Sequence, residues 1–254
     1  MADRLGRLAW LREETSAGCT ERTFLLPRLT GPVPGVLWSP QATAPRGTAL
    51  LFHGGSGHKR SERHLRMGRR LASAGLAVIA IDGPYHGGRV PAPMTASAYQ
   101  QRIADEGIET VTARMTADWL DAVSVLAGLG VADDAHVSVF GMSMGARYGL
   151  PAAAALGPRL QCAVLGKFGV RQAAGCWPPV SWRRPRTPSP PRCSTTCSGT
   201  TSSSPRDGQF ELFDALASTD KQLTARAGPH AQTHPDDEAS WTGFLALNTC
   251  DSQP

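Results

Sequence analysis

Val137-Ser138-Val139-Phe140-Gly141-Met142-Ser143-Met144-Gly145-Ala146, followed by an alanine-rich run to Leu156, is the stretch that decides the fold. The apolar residues up to Phe140 have the length and β-branching of a buried strand, and Ala146–Leu156 has the composition of a helix. Between them a serine is flanked at two-residue distance by Gly141 and Gly145. A hydroxyl is a poor nucleophile unless a base takes its proton, and a sharp strand-to-helix turn presents it in the open where an imidazole can reach it. The glycines leave the space that such a turn and its close neighbouring helix require. Met144 opens the helix, so its backbone N–H is free to donate to an oxyanion formed on an attacked carbonyl.

Outward from this turn, strands and helices alternate. Thr48–Phe52 reads as a strand running into His53-Gly54-Gly55-Ser56-Gly57, a loop placed to supply a second oxyanion donor from Gly54 or Gly55. The spacing predicts a helix over 61–75, a strand over 76–82, one long helix from about 96 to 129, and a strand over 161–166. A helix over 209–218, a strand over 221–225 and a helix from 236 to about 247 close the pattern. This order implies an α/β fold with a mostly parallel central sheet covered by helices on both faces. Residues 21–38 read as leading antiparallel strands. Residues 1–20 read as an N-terminal helix or extension, 21–247 as a single domain, and 248–254 as a tail.

The 254 residues, 41% apolar and 19% charged, are enough for one well-cored domain. No apolar run is long enough to span a bilayer, and the first residues lack the apolar core of a signal peptide, so a cytoplasmic protein without membrane association is expected. The six cysteines read as free thiols; Cys193 and Cys197 have no neighbouring His/Cys couple, and no metal site is expected. The net charge of +5 comes from scattered basic residues with no recognition motif, which argues against a nucleic-acid partner. No cofactor site is visible, and oligomeric state is not readable.

The glycine-flanked Ser143, the His53–Gly57 loop before it and their chain order resemble the α/β-hydrolase superfamily, in particular its dienelactone-hydrolase-like, small-esterase branch. The resemblance covers roughly residues 21–175 and 205–247. It implies a serine hydrolase acting on a small-molecule ester or related acyl compound. It also implies a base on the loop after the last strand, where Gly228-Pro229-His230 stands. His230 is the preferred base and His234, ahead of Pro235, the rival. Asp82-Gly83-Pro84-Tyr85-His86-Gly87-Gly88-Arg89 resembles the family's loop beside the pocket, with Tyr85 and His86 structural or substrate-contacting. His53 reads as a packing and hydrogen-bonding residue.

A triad needs a carboxylate to hold the imidazole, and the family supplies an aspartate after the strand preceding the 209–218 helix. Neither that strand nor the aspartate is recognisable in the sequence. Residues 176–204 contain no Ala, Leu, Ile, Asp, Glu or Lys, but six prolines, seven serines, five threonines, four arginines and half the cysteines. One reading is a disordered Pro/Ser/Thr-rich insertion. The other is a segment read out of frame. Taking the last base of each codon with the first two of the next, residues 193–204 can be re-read as Val-Leu-Tyr-His-Val-Gln-Trp-Asp-Asp-Glu-Leu-Phe. That is a strand followed by an acidic turn, with the acid falling at Thr201 beside Thr200. Without Arg183, Arg184, Arg186 and Arg192 the charge falls from +5 to +1. In the chain as written Asp207 is the substitute acid, against a plain role as helix cap. The alternative to an enzyme is a catalytically silent hydrolase-like protein or a damaged gene product.

Overall fold

The computed structural model describes residues 8–16, 18–169, 192–197 and 205–250. Three antiparallel strands come first: β1 (Ala9–Ser16), β2 (Cys19–Leu26) and β3 (Val33–Pro40). They are followed by β4 (Thr48–Phe52), α1 (Glu62–Ser73), β5 (Ala77–Ile81), α2 (Ala96–Glu106), α3 (Ile108–Gly128), β6 (Val137–Met142), α4 (Met144–Leu156) and β7 (Leu160–Gly166). The last elements are β8 (Arg192–Cys197), α5 (Arg206–Ala215), β9 (Lys221–Ala225) and α6 (Asp237–Asn248). Among the described residues nine strands form one sheet, in the order β1-β2-β3-β5-β4-β6-β7-β8-β9. From β5 to β9 every pairing is parallel.

Strand side chains alternate between faces, and the sheet accordingly divides two cores. Leu50, Phe52, Ile79, Val139 and Leu165 face α2, α3 and α4, where Trp119 stacks on Phe52. Ala49, Leu51, Val78, Phe140 and Val164 face α1 and α6, where Trp241 meets Phe140. No helix among the described residues is long and apolar enough to cross a membrane.

Three expectations are corrected. Where a helix or an extension is expected over 1–20, residues 9–16 are a strand; they extend the antiparallel edge, with every side chain exposed. The single helix expected over 96–129 is broken at Gly107, whose φ of 92° lies outside the helical region; the apolar period continues across the break and concealed it. The strand that seemed missing is present as β8, paired in parallel with β7 on one side and β9 on the other. Its composition hid it: Cys193, Ser194, Thr195, Thr196 and Cys197 are buried, but the run carries no Val, Ile, Leu or aromatic residue to mark it as a core strand. Main-chain bonding to two neighbours holds the strand in the sheet regardless. The rest of the 176–204 segment, including Thr200 and Thr201, lies outside the described residues.

Candidate active site

β6 delivers Ser143 at the carboxyl edge of the parallel sheet, and α4 begins at the next residue. Ser143 has φ 58° and ψ −121°, a backbone region that side chains rarely adopt, with a cost on the order of 1–3 kcal/mol. Its neighbours hold it there. Ser143 N–H donates to Gly166 O at 2.9 Å, and its carbonyl accepts from Ala146 and Arg147 N–H. A Cβ on Gly141 would collide with the Gly145 carbonyl, and one on Gly145 with the Phe52 carbonyl. Met144 is the first residue of α4, so its N–H has no intrahelical acceptor.

His230 sits on the loop between β9 and α6, and its Nε2 lies 2.9 Å from Ser143 Oγ. Lys167, at φ 52° directly after β7, anchors this loop: its Nζ donates to His230 O at 3.1 Å and also to Gln232 O. Burial, and then the Lys167 charge, hold the His230 pKa below the ordinary histidine value. Lys167 is itself pushed down by burial and by Arg63. His230 Nδ1 is buried and has no hydrogen-bond partner among the described residues. Asp207 is not brought to it. That residue lies in the exposed first turn of α5, two residues past the Pro205 cap, so it does not cap the helix either. His234 also stays apart from the serine; its ring faces Asp236 and the Asp236 N–H.

Gly54 and Gly55 line the same cleft as Ser143, Met144 and His230, a space of about 920 Å³. The cleft also takes in Tyr99 and Gln100 from α2, and three cations that sequence reading did not single out: Arg63, Arg147 and Lys167. Among the described residues no carboxylate lines it. Arg147 stands one helical turn after the serine and is 8% exposed. Its Nη1 donates to Gln100 Oε1 at 3.2 Å, while its Nε is buried without a partner among the described residues. The four-residue step from Ser143 was the available signal, because residues so spaced share a helix face. Lys167 left no such signal; only the fold brings the end of β7 to the histidine loop.

No protein-family profile and no curated protein matches the sequence. Solved structures do. The PEG-bound complex of a cold-adapted esterase from an Arctic intertidal metagenomic library superposes with a TM-score of 0.78 at 26% identity, covering 95% of this chain and 99% of that one. A dienelactone hydrolase-like promiscuous phosphotriesterase, P91, from metagenomic libraries gives 0.65 at 18% identity over 91% and 98%. Dienelactone hydrolase from Anabaena variabilis gives 0.60 at 18% over 91% and 97%. The chain has the α/β-hydrolase fold, shared with small esterases and dienelactone-hydrolase-like proteins.

Proposed function

We propose that the protein is a serine hydrolase that cleaves a small ester, or a related acyl bond, through an acyl-enzyme. The observation that carries this reading is the 2.9 Å approach of His230 Nε2 to a serine hydroxyl held at the tip of a strained strand-to-helix turn. In the proposed reaction Ser143 Oγ attacks the carbonyl carbon as its proton passes to His230 Nε2. Met144 N–H and a donor from the Gly54–Gly55 loop receive the oxyanion. Collapse expels the alcohol, which takes the proton from His230, and water then repeats the sequence to release the acid. An esterase with 26% identity over nearly the whole chain supports an ester as the substrate. Three cations and no described carboxylate along the cleft favour an acyl group with an anionic far end.

The second reading, a silent or damaged gene product, is favoured by His230 Nδ1, which has no partner among the described residues. Loss of the triad acid alone costs on the order of 10⁴ in turnover. We also propose that residues 176–204 are translated out of frame. The buried β8, paired on both sides and carrying the run Cys-Ser-Thr-Thr-Cys, supports this, because the shifted frame offers Val-Leu-Tyr-His-Val at those positions.

The test is hydrolysis of p-nitrophenyl butyrate and of the p-nitrophenyl hemisuccinate, whose acyl chain ends in a carboxylate. We expect turnover of both, a higher kcat/KM for the charged ester, and loss of both in Ser143→Ala. Turnover undiminished in Ser143→Ala contradicts the assignment.

A further inference from the structure

Two histidines outside the catalytic pair grip the oxyanion loop by its carbonyls. His53 is buried at the end of β4, and its Nε2 accepts a hydrogen bond from Gly83 N–H at 2.7 Å. A nitrogen that accepts carries no proton, so in the neutral ring the proton is on Nδ1, which lies 2.8 Å from Gly54 O and donates to it. Gly57 N–H donates to the same oxygen at 2.9 Å. His86, from the loop after β5, places Nε2 2.8 Å from Gly55 O and Nδ1 2.6 Å from Pro84 O; a neutral ring donates to one of these two carbonyls, and a grip on the oxyanion loop requires that it be Gly55 O. It packs on Tyr99 at 4.5 Å between ring centroids and on His53 at 5.2 Å.

These contacts fix two consecutive peptide planes. In a trans peptide unit the C=O and the following N–H point in opposite directions. With Gly54 O drawn inward to His53, Gly55 N–H turns the other way, toward the cleft that Gly54, Gly55 and Ser56 line. With Gly55 O tied to His86, the next plane cannot rotate to relax the first. A loop with several glycines otherwise has wide conformational freedom, and an oxyanion donor stabilises charge only if it is aimed beforehand. Resting on the proposed Ser143 chemistry, we propose that His53 and His86 are positioning residues that orient the Gly54–Gly55–Ser56 peptide planes, making Gly55 N–H, and not Gly54 N–H, the second oxyanion donor.

His86 supplies the cleaner test, because its ring is replaceable without losing its packing. His86→Phe keeps an aromatic ring against Tyr99 but no donor; His86→Gln keeps a donor. With p-nitrophenyl acetate, kcat should fall in His86→Phe by about 10- to 100-fold, short of the loss from deleting a donor outright. KM should stay within about twofold and the thermal midpoint near that of the parent, and His86→Gln should recover most of the rate, as restored plane orientation requires. A His86→Phe enzyme with parental kcat, or His86→Gln no better than His86→Phe, overturns the proposal. A readout independent of turnover is the nitrogen NMR spectrum of the histidines in the unmodified protein. It should show His53 protonated at Nδ1 and bare at Nε2, and His86 protonated at Nε2. A His53 protonated at Nε2, or a His86 bare there, overturns the proposal even if the chain hydrolyses nothing. Absence of hydrolysis with the expected protonation contradicts the assigned reaction alone.

Discussion

His230 engages Ser143 through Nε2 while its buried Nδ1 has no partner among the described residues. An acid on Nδ1 would select the tautomer that leaves Nε2 free to accept the serine proton and would stabilise the imidazolium that follows. Among the described residues the ring is aimed by its loop, which is tied down by Lys167. The same lysine joins burial in disfavouring the imidazolium. As the proposed base, His230 must be neutral to act, so kcat/KM should rise with pH through the His230 pKa, with a midpoint below the ordinary histidine value. In Lys167→Met the nearby positive charge is gone, the proton is held to higher pH, and the acid limb should move upward. A pH–rate profile of the two proteins checks this; an unmoved or lowered limb contradicts it.

At the scale of elements, β8 is the least comfortable part of the sheet. Thr195 is 2% exposed and its hydroxyl has no partner among the described residues, a burial that costs about 1–3 kcal/mol. Valine has nearly the same shape without the hydroxyl, so Thr195→Val should raise the thermal midpoint by about 2–4 °C for each kcal/mol recovered in a domain near this size. A lowered midpoint in a melting experiment contradicts this view of the strand. The same strand shows where sequence reading stops. β4, β5, β6 and β7 were legible because each is a mainly apolar run, and the serine turn was legible because Gly141 and Gly145 have a steric job. β8 was not, since its hydrogen bonds come from neighbours distant in sequence and its side chains argue for a loop. The break at Gly107 was missed because one apolar stripe serves both α2 and α3. In the site, Ser143 and His230 stood in recognisable local contexts. Arg63 and Lys167 reach the cleft only through the fold, and Arg147's single clue was its spacing from the serine.

At the scale of the whole molecule, a two-sided core and a complete turn around Ser143 coexist with a 29-residue segment of foreign composition. If that segment is out of frame, resequencing the coding DNA will show compensating one-base changes near codons 175 and 205. The frame-corrected protein should then melt higher and turn over esters faster by up to about 10⁴-fold, the worth of a triad acid. A clean single frame contradicts the shift. The claim on which the rest depends is that Ser143 is the nucleophile. Its most direct test is labelling with a serine-directed fluorophosphonate, followed by mass spectrometry of the modified peptide. One adduct on Ser143, abolished in Ser143→Ala, is the predicted result. An adduct that persists in Ser143→Ala, or no adduct on Ser143 in the folded parent protein, contradicts it.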